Sequence, residues 1–323
     1  MSGNPISSLF ISCDWGSSQL RLALVDGLSR SVLANIHSPY GARSFFQDWS
    51  QSSLSRLQLG QARLSTELDR LSAISGQPLA GLPIIISGMA SSSLGIQELP
   101  YAPVPFRLSG EDLIVESFPS NPDFPHPSLL VSGVQSGNEV MRGEEVQVIG
   151  LPSKLTQEAC IWVLPGTHSK QMRISNGIIH SFNSILTGEL FDLLSTYSTL
   201  SEGMMPVPAQ LSPADFAAFD QGIDLGKDNQ LLQNLFQVRS RRHEFEGSGR
   251  SLFLSGLLIG TEMQALRHQK IKIGLASSGG LGRLYARACE QLGMKDRLLV
   301  PDPKIISQLT ILGQLNIWQN KLR

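Results

Sequence analysis

The sequence predicts an α/β fold of two domains built on one repeated plan, and three observations carry that prediction. The chain opens on an apolar run, a polar Gly/Ser turn and a second apolar run, LFISCDWGSSQLRLALVDG (9–27). The same order returns in CIWVLPGTHSKQMRISNGII (160–179). A strand, a glycine loop and a helix then follow in IKIGLASSGGLGRLYARACEQLGM (271–294). The likeness between the halves is one of pattern, not of letters. The chain's 323 residues suffice for two domains of common size. The boundary is expected near Leu151-Pro152, giving lobes at 1–151 and 152–323.

Taken in order, residues 9–12 and 20–25 have strand length and pattern around the turn DWGSSQ, which makes a β-hairpin. From Phe45 to Ile74, leucines 54, 57, 64, 68 and 71 recur at near-helical spacing and predict one long amphipathic helix. Ile84-Ile85-Ile86 reads as a buried strand running into GMASSSLG, the position where open α/β sheets place ligands. The proline-dense stretch Glu116 to Ser128 reads as loop, and RGEEVQVIG as the start of a helix with acids in its first turn. In the second half, Thr187 is expected to cap TGELFDLLSTYS, and Ser212, Pro213 and Asp215 form a capping box at the next helix. Residues 251–268 make an apolar helix whose small residues Ser255, Gly256 and Gly260 permit close packing, either as core or as a homodimer interface. The strand-loop-helix of 271–294 closes at Gly293, and a last amphipathic helix starts near Ile305.

Bulk properties remove several function classes. A net charge of -1 leaves no basic excess for nucleic acid. Three distant cysteines offer neither a disulfide framework nor a zinc cluster, which fits a cytoplasmic protein. No apolar run reaches membrane-spanning length, and MSGNPISSLFIS lacks the basic start and apolar core of a secretory signal, so no membrane is expected as partner.

The polar turns carry the chemistry. A loop that holds nucleotide phosphates needs glycine for close backbone approach, hydroxyls and amides for hydrogen bonds, and an acid to position Mg²⁺. DWGSSQLR has each: Asp14 for the metal, and Gly16, Ser17 and Ser18 for phosphate oxygens. LPGTHSK offers Gly166, Thr167 and Ser169 as a second such turn, with Lys170 as a cation beside it. In SSGG, the backbone at Ser278, Gly279 and Gly280 opens a helix N-terminus toward a nucleoside or α-phosphate. Singly, each turn is also an ordinary tight connection. Their combination is what points to a nucleotide.

Two hairpin phosphate turns and a later glycine loop describe the actin/hexokinase/heat-shock-ATPase architecture, a duplicated ribonuclease H-like fold with its active-site cleft between the lobes. Within it, DWGSSQLR, GMASSSLGIQELPYAPVP, NEVMRGEEVQVIG, LPGTHSK, TGELFDLL, LSGLLIGTE and LYARACEQLG span nearly the whole chain in that order. Together they resemble the 2-dehydro-3-deoxygalactonokinases. The resemblance implies a kinase that uses ATP and Mg²⁺ to phosphorylate O6 of a small sugar acid, 2-dehydro-3-deoxy-D-galactonate. It implies a first lobe holding the first phosphate turn and the acid, and a second lobe holding the second turn and the nucleoside loop. It adds His168 to the second turn.

RGEE also resembles the acidic stretch ahead of the second phosphate loop in exopolyphosphatases, which puts Glu144 or Glu145 near the acceptor hydroxyl as a catalytic carboxylate. One of the two is expected to be functional and the other structural. Arg142 is expected to grip the substrate carboxylate or else to pair with a neighbouring glutamate. Ser91 and Ser92 supply hydroxyls or amides to the acid. Thr187 and Glu189 either touch substrate or cap their helix. The chain departs from the family pattern in having Glu139 where an Asp is usual, Gln171 where a Trp is frequent, and the SSGG form of the nucleoside loop. The competing readings are a phosphatase of the same superfamily and a non-catalytic sugar-acid sensor.

Overall fold

The opening hairpin forms as its alternation requires. In the computed structural model, which describes residues 8–228 and 230–321, β1 (Leu9–Trp15) pairs antiparallel with β2 (Leu20–Asp26). A third antiparallel strand, β3 (Ser31–Ser38), completes a meander. The long helix expected from Phe45 to Ile74 is two helices, α1 (Ala42–Ser50) and α2 (Arg56–Ser75). The break has a local cause. Ser55 Oγ accepts the Gln58 N–H and Gln58 Oε1 accepts the Ser55 N–H, a capping box that starts a fresh helix inside the leucine periodicity.

Strand β4 (Ile84–Gly88) lies parallel to β1 and is buried at every position. The short strands β5 (Ala102–Pro103) and β6 (Phe106–Arg107) follow. Part of the stretch expected as loop is an edge strand: β7 (Val115–Phe118) pairs antiparallel with β8 (Ser128–Val131). Its prolines begin only at Pro119, so residues 115–118 keep the N–H groups a ladder needs. Strands β9 (Val134–Ser136) and β10 (Glu139–Met141) join β5 in a small separate sheet, and α3 (Glu144–Ile149) follows at once. The main sheet reads β3-β2-β1-β4-β8-β7.

The second half repeats the plan. Strands β11 (Cys160–Leu164) and β12 (Ser169–Ser175) form the second hairpin, continued by β13 (Ile178–Ile185). Helix α4 (Thr187–Thr196) is preceded by Leu186 at its cap position, so Thr187 is its first residue rather than its cap. The box at α5 (Pro213–Gly226) forms as expected, with Ser212 and Asp215 bonded reciprocally. Short helices α6 (Leu231–Leu235) and α7 (Gln237–Ser240) lead to α8 (Gly249–Gln264). Residues 249–260 of α8 are buried without a break, so this helix is core and not a subunit interface. Strand β14 (Lys272–Leu275) runs parallel to β11. Helix α9 (Gly279–Gln291) ends as expected: Gly293 has φ +72°, and the Gly293 and Met294 N–H groups bond back to Glu290 and Cys289. Strand β15 (Leu298–Leu299) completes the order β15-β14-β11-β12-β13-β6, in which β6 pairs antiparallel with the start of β13. In each half, three antiparallel strands are followed by two parallel ones, which is the duplicated ribonuclease H-like arrangement. The helix expected from Ile305 is again two, α10 (Pro303–Ile306) and α11 (Leu309–Lys321).

By contact density the chain divides into one unit of Met1–Thr156, Gly177–His180 and Gln308–Arg323, and another of Gln157–Asn176 and Ser181–Ser307. The C-terminal helix α11 thus belongs with the first half, whereas the sequence reading carried the second lobe to residue 323. The reason is close packing: a Cβ on Gly313 of α11 would stand 1.9 Å from the Val146 carbonyl of α3, and the Phe10 ring of β1 lies 5.2 Å from that of Trp318, tilted by 42°. Among the described residues no helix is long and apolar enough to cross a membrane.

Candidate active site

In the first unit, Asp14 is the next-to-last residue of β1, opposite Arg21 of β2 and level with Ser87 of β4. Arg21 Nη1 donates to Asp14 Oδ2 at 2.9 Å across the mouth of the hairpin. The turn is held by the Gly16 N–H on the Gln19 carbonyl, and the N–H groups of Ala42 and Arg43 donate to the carbonyls of Gly16 and Ser17. The start of α1 therefore grips the turn from its carbonyl side. Gly16 and Ser17 are half-buried and Ser18 is exposed.

Strand β4 brings a second element to this edge. Gly88 has φ +85°, and a Cβ there would meet the Trp15 carbonyl at 2.8 Å and lie 3.5 Å from Asp14 Oδ1. The RGEE turn is its neighbour, since a Cβ on Gly143 (φ +110°) would sit 3.6 Å from the Gly88 Cα. The structure thus brings Asp14 and the acidic pair into one region. The two glutamates differ sharply. Glu145 is 1% exposed and accepts the Gly143 N–H on both carboxylate oxygens at 2.8 Å. Burial, and then the charge of Glu144, pushes its carboxyl up to about 8. Glu144 is only half-buried.

Arg142 sends Nη1 to Ser91 Oγ at 2.8 Å and Nη2 to the Leu99 carbonyl at 2.7 Å, with its guanidinium 4.0 Å over the Tyr101 ring. Its terminal nitrogens go to these groups rather than to a glutamate, and among the described residues its buried Nε has no hydrogen-bond partner. The Ser92 hydroxyl is engaged locally, donating to the Met89 carbonyl and accepting the Leu94 N–H. Sequence reasoning missed Gln314 of α11. Fully buried, it donates Nε2 to the Cys13 carbonyl at 2.9 Å and to Ser87 Oγ at 2.8 Å, bracing the residues immediately before Asp14 and Gly88. A single glutamine in a helix 301 and 227 residues from its partners gives no motif to find.

In the second unit, the Pro165–His168 turn joins β11 to β12 and is seated on α4. The Thr167 carbonyl accepts the Glu189 N–H at 2.9 Å, and His168 Nε2 lies 2.7 Å from Glu189 Oε2. A Cβ on Gly188 would fall 2.4 Å from the Gly166 carbonyl, so this contact needs glycine. Lys170 is 4% exposed, with Nζ reaching back to the His168 carbonyl at 3.3 Å, which places its charge beneath the turn. Beside the turn opens a pocket of about 490 Å³ lined by Gly166, Thr167 and Gly280, with Phe191, Leu258, Ile259 and Leu284 as apolar wall. Ser278 and Gly279 stand exposed at the start of α9, where Ser278 makes no side-chain cap. The pocket thus brings Gly166 and Thr167 of the second turn together with Gly280, at a size usual for small-molecule sites, while His168, Ser278 and Gly279 do not line it and the buried Ser169 hydroxyl turns away to Glu262. Thr187 lines it; Glu189 does not, being engaged with the turn.

Among the described residues no three His, Cys, Asp or Glu side chains gather as a metal centre. Mg²⁺ that travels with nucleotide phosphates needs only one or two carboxylates, the rest of its shell being phosphate and water oxygens. Asp14, partly open at a strand end, fits that requirement.

The model of the 2-keto-3-deoxy-galactonokinase family matches residues 14–311, from Asp14 into α11. The chain belongs to this family. It is 31% identical to "Probable 2-dehydro-3-deoxygalactonokinase DgoK1" of Rhizobium meliloti (strain 1021), over 96% of this chain and 97% of that one. It is 35% identical to the 2-dehydro-3-deoxygalactonokinase of Escherichia coli (strain K12), over 65% of this chain and 71% of that one. Among solved structures it superposes with TM-score 0.77 and 28% identity on a "putative 2-dehydro-3-deoxygalactonokinase protein" from Sinorhizobium meliloti, covering 96% of each chain. Membership makes the protein a carbohydrate kinase of two-lobed α/β fold, and does not favour the phosphatase or sensor readings.

Proposed function

We propose that the protein transfers the γ-phosphoryl group of ATP to O6 of 2-dehydro-3-deoxy-D-galactonate in the cytoplasm. Family membership supports the reaction, and the observation that carries the donor side is the pocket joining Gly166 and Thr167 to Gly280. In this reading, the apolar wall of the second unit's pocket takes the nucleoside and the amides and hydroxyl at Gly166 and Thr167 hold phosphate oxygens. In the first unit, Ser17 and Ser18 offer hydroxyls and amides of the kind phosphate oxygens accept. Lys170 adds positive charge behind the second turn, and His168 is held in place by Glu189. Mg²⁺, when bound with ATP, neutralises phosphate charge; Asp14 would hold it, through water or directly, with Arg21 fixing the carboxylate.

On the acceptor side, Arg142 is held in place by Ser91, Leu99 and Tyr101, its guanidinium charge fixed at the RGEE turn. A pre-oriented donor of this kind suits the substrate carboxylate. The glutamates divide the work. Glu145 is buried, largely protonated at neutral pH and engaged with Gly143, so it shapes the turn; Glu144, more open, accepts the hydroxyl proton late in transfer. Three buried, unpaired cysteines support a reducing compartment. The test is ADP release from Mg-ATP with 2-dehydro-3-deoxygalactonate, its gluconate epimer and no acceptor side by side. Turnover confined to the galactonate acid is expected. Equal rates with both acids would remove the substrate assignment, and equal release without acceptor would remove the kinase reading.

A further inference from the structure

We infer that Glu262 is a positioning residue of the nucleotide pocket, a buried carboxylate that ties the second phosphate turn and the nucleoside-side helix into one frame. The inference rests on the nucleotide reading of that pocket. Glu262 lies near the end of α8 and is 6% exposed. Three hydroxyls from three different elements converge on it. Ser169 Oγ donates to Oε1 at 2.6 Å, Thr187 Oγ1 to Oε2 at 2.5 Å, and the Tyr285 hydroxyl to Oε2 at 2.6 Å. Ser169 is the first residue of β12, directly after the phosphate turn. Thr187 opens α4, whose next residue touches Gly166, and Tyr285 belongs to α9 behind Gly280.

A carboxylate only accepts, and each of these hydroxyls can only satisfy it by donating, so the three donors take fixed rotamers. Burial, and then the Glu262 charge, pushes the Tyr285 hydroxyl up, which keeps it a donor. Such charge-assisted bonds, shielded from water, are short and stiff. Thr187 and Tyr285 also line the pocket, whereas Glu262 and Ser169 do not reach it. Glu262 therefore acts on nucleotide only through the groups it holds. Its role separates from ordinary core packing because it predicts a one-sided effect, on the nucleotide and not on the acid.

The experiment compares wild type, Glu262→Gln and Ser169→Ala by calorimetric binding of Mg-ADP and by steady-state kinetics in both substrates. Gln keeps the volume but turns one acceptor into a donor facing hydroxyls. Folded E262Q is expected to weaken Mg-ADP binding and raise KM for ATP by about tenfold or more, with KM for the sugar acid within about twofold. S169A, which loses one tie and no pocket wall, is expected to move the same quantities less and in the same direction. Unchanged Mg-ADP affinity in folded E262Q, or equal rises in both KM values, would overturn the inference. Should E262Q fail to fold, S169A decides by the same criterion. Wild type that binds no Mg-ADP would overturn the pocket reading itself, and this inference with it.

Discussion

Asp14 and the RGEE pair show how one side chain's surroundings decide its use. Asp14 stands near the end of β1 at the mouth of the first turn, and in the proposed function its carboxylate is the group that would hold the metal. Asp14→Asn should lower kcat by about a hundredfold or more while leaving the fold intact, and near-normal kcat would remove the first phosphate turn from the mechanism. For the glutamates, general-base loss typically costs on the order of 10²–10⁴ in rate. Glu144→Gln should show it, and Glu145→Gln should not. Glu145 instead governs stability. Its carboxyl, held up to about 8 from 4.5, keeps a proton in the folded chain across that interval, where the unfolded chain has lost it. Folding therefore takes up a proton, and stability falls as pH rises from 4.5 through 8. Glu145→Gln removes this dependence. Thermal unfolding from acid to mildly alkaline pH should show the variant's advantage over wild type growing across the interval and levelling above it.

At the scale of elements, the legible features were those with a local physical signal. The two hairpins, the Ser212 box and the Gly293 terminus followed from alternation, capping chemistry and left-handed glycine. The first long helix broke where a local signal competed with a longer one, at Ser55, whose S-x-x-Q box sits inside a leucine periodicity. The strand Val115–Phe118 was hidden by the prolines that follow it. What sequence patterns could not show was α11 against α3, because that packing depends on absent side chains. Alanine at Gly313 would gain about 1 kcal/mol of helix propensity, but its Cβ, 1.9 Å from the Val146 carbonyl, forces a shift costing roughly 1–3 kcal/mol. The clash wins. Gly313→Ala should lower Tm and, by moving the helix that carries Glu144, lower kcat as well; a variant as stable and active as wild type would show that the contact tolerates a methyl group.

For the whole molecule, duplication was legible because both halves repeat an apolar-turn-apolar order, and the structure repeats the strand order that this implies. The candidate site could be proposed from sequence only because several turns and motifs occur together, since each turn singly is also an ordinary tight connection. Its supports could not. Gln314 and Glu262 each join segments far apart in sequence, through polar bonds that no spacing rule encodes, and each surfaces only when burial is weighed against hydrogen bonding. Family membership gives the class of reaction; the donor side at the pocket and the acceptor side at Arg142 belong to the proposed function. The most direct measurement is phosphorus NMR of the product formed from Mg-ATP and 2-dehydro-3-deoxy-D-galactonate. A phosphomonoester coupled to the two C6 protons, appearing with ADP in equal amount, is predicted. Inorganic phosphate with unmodified acid, or a phosphoester at another carbon, would contradict the account.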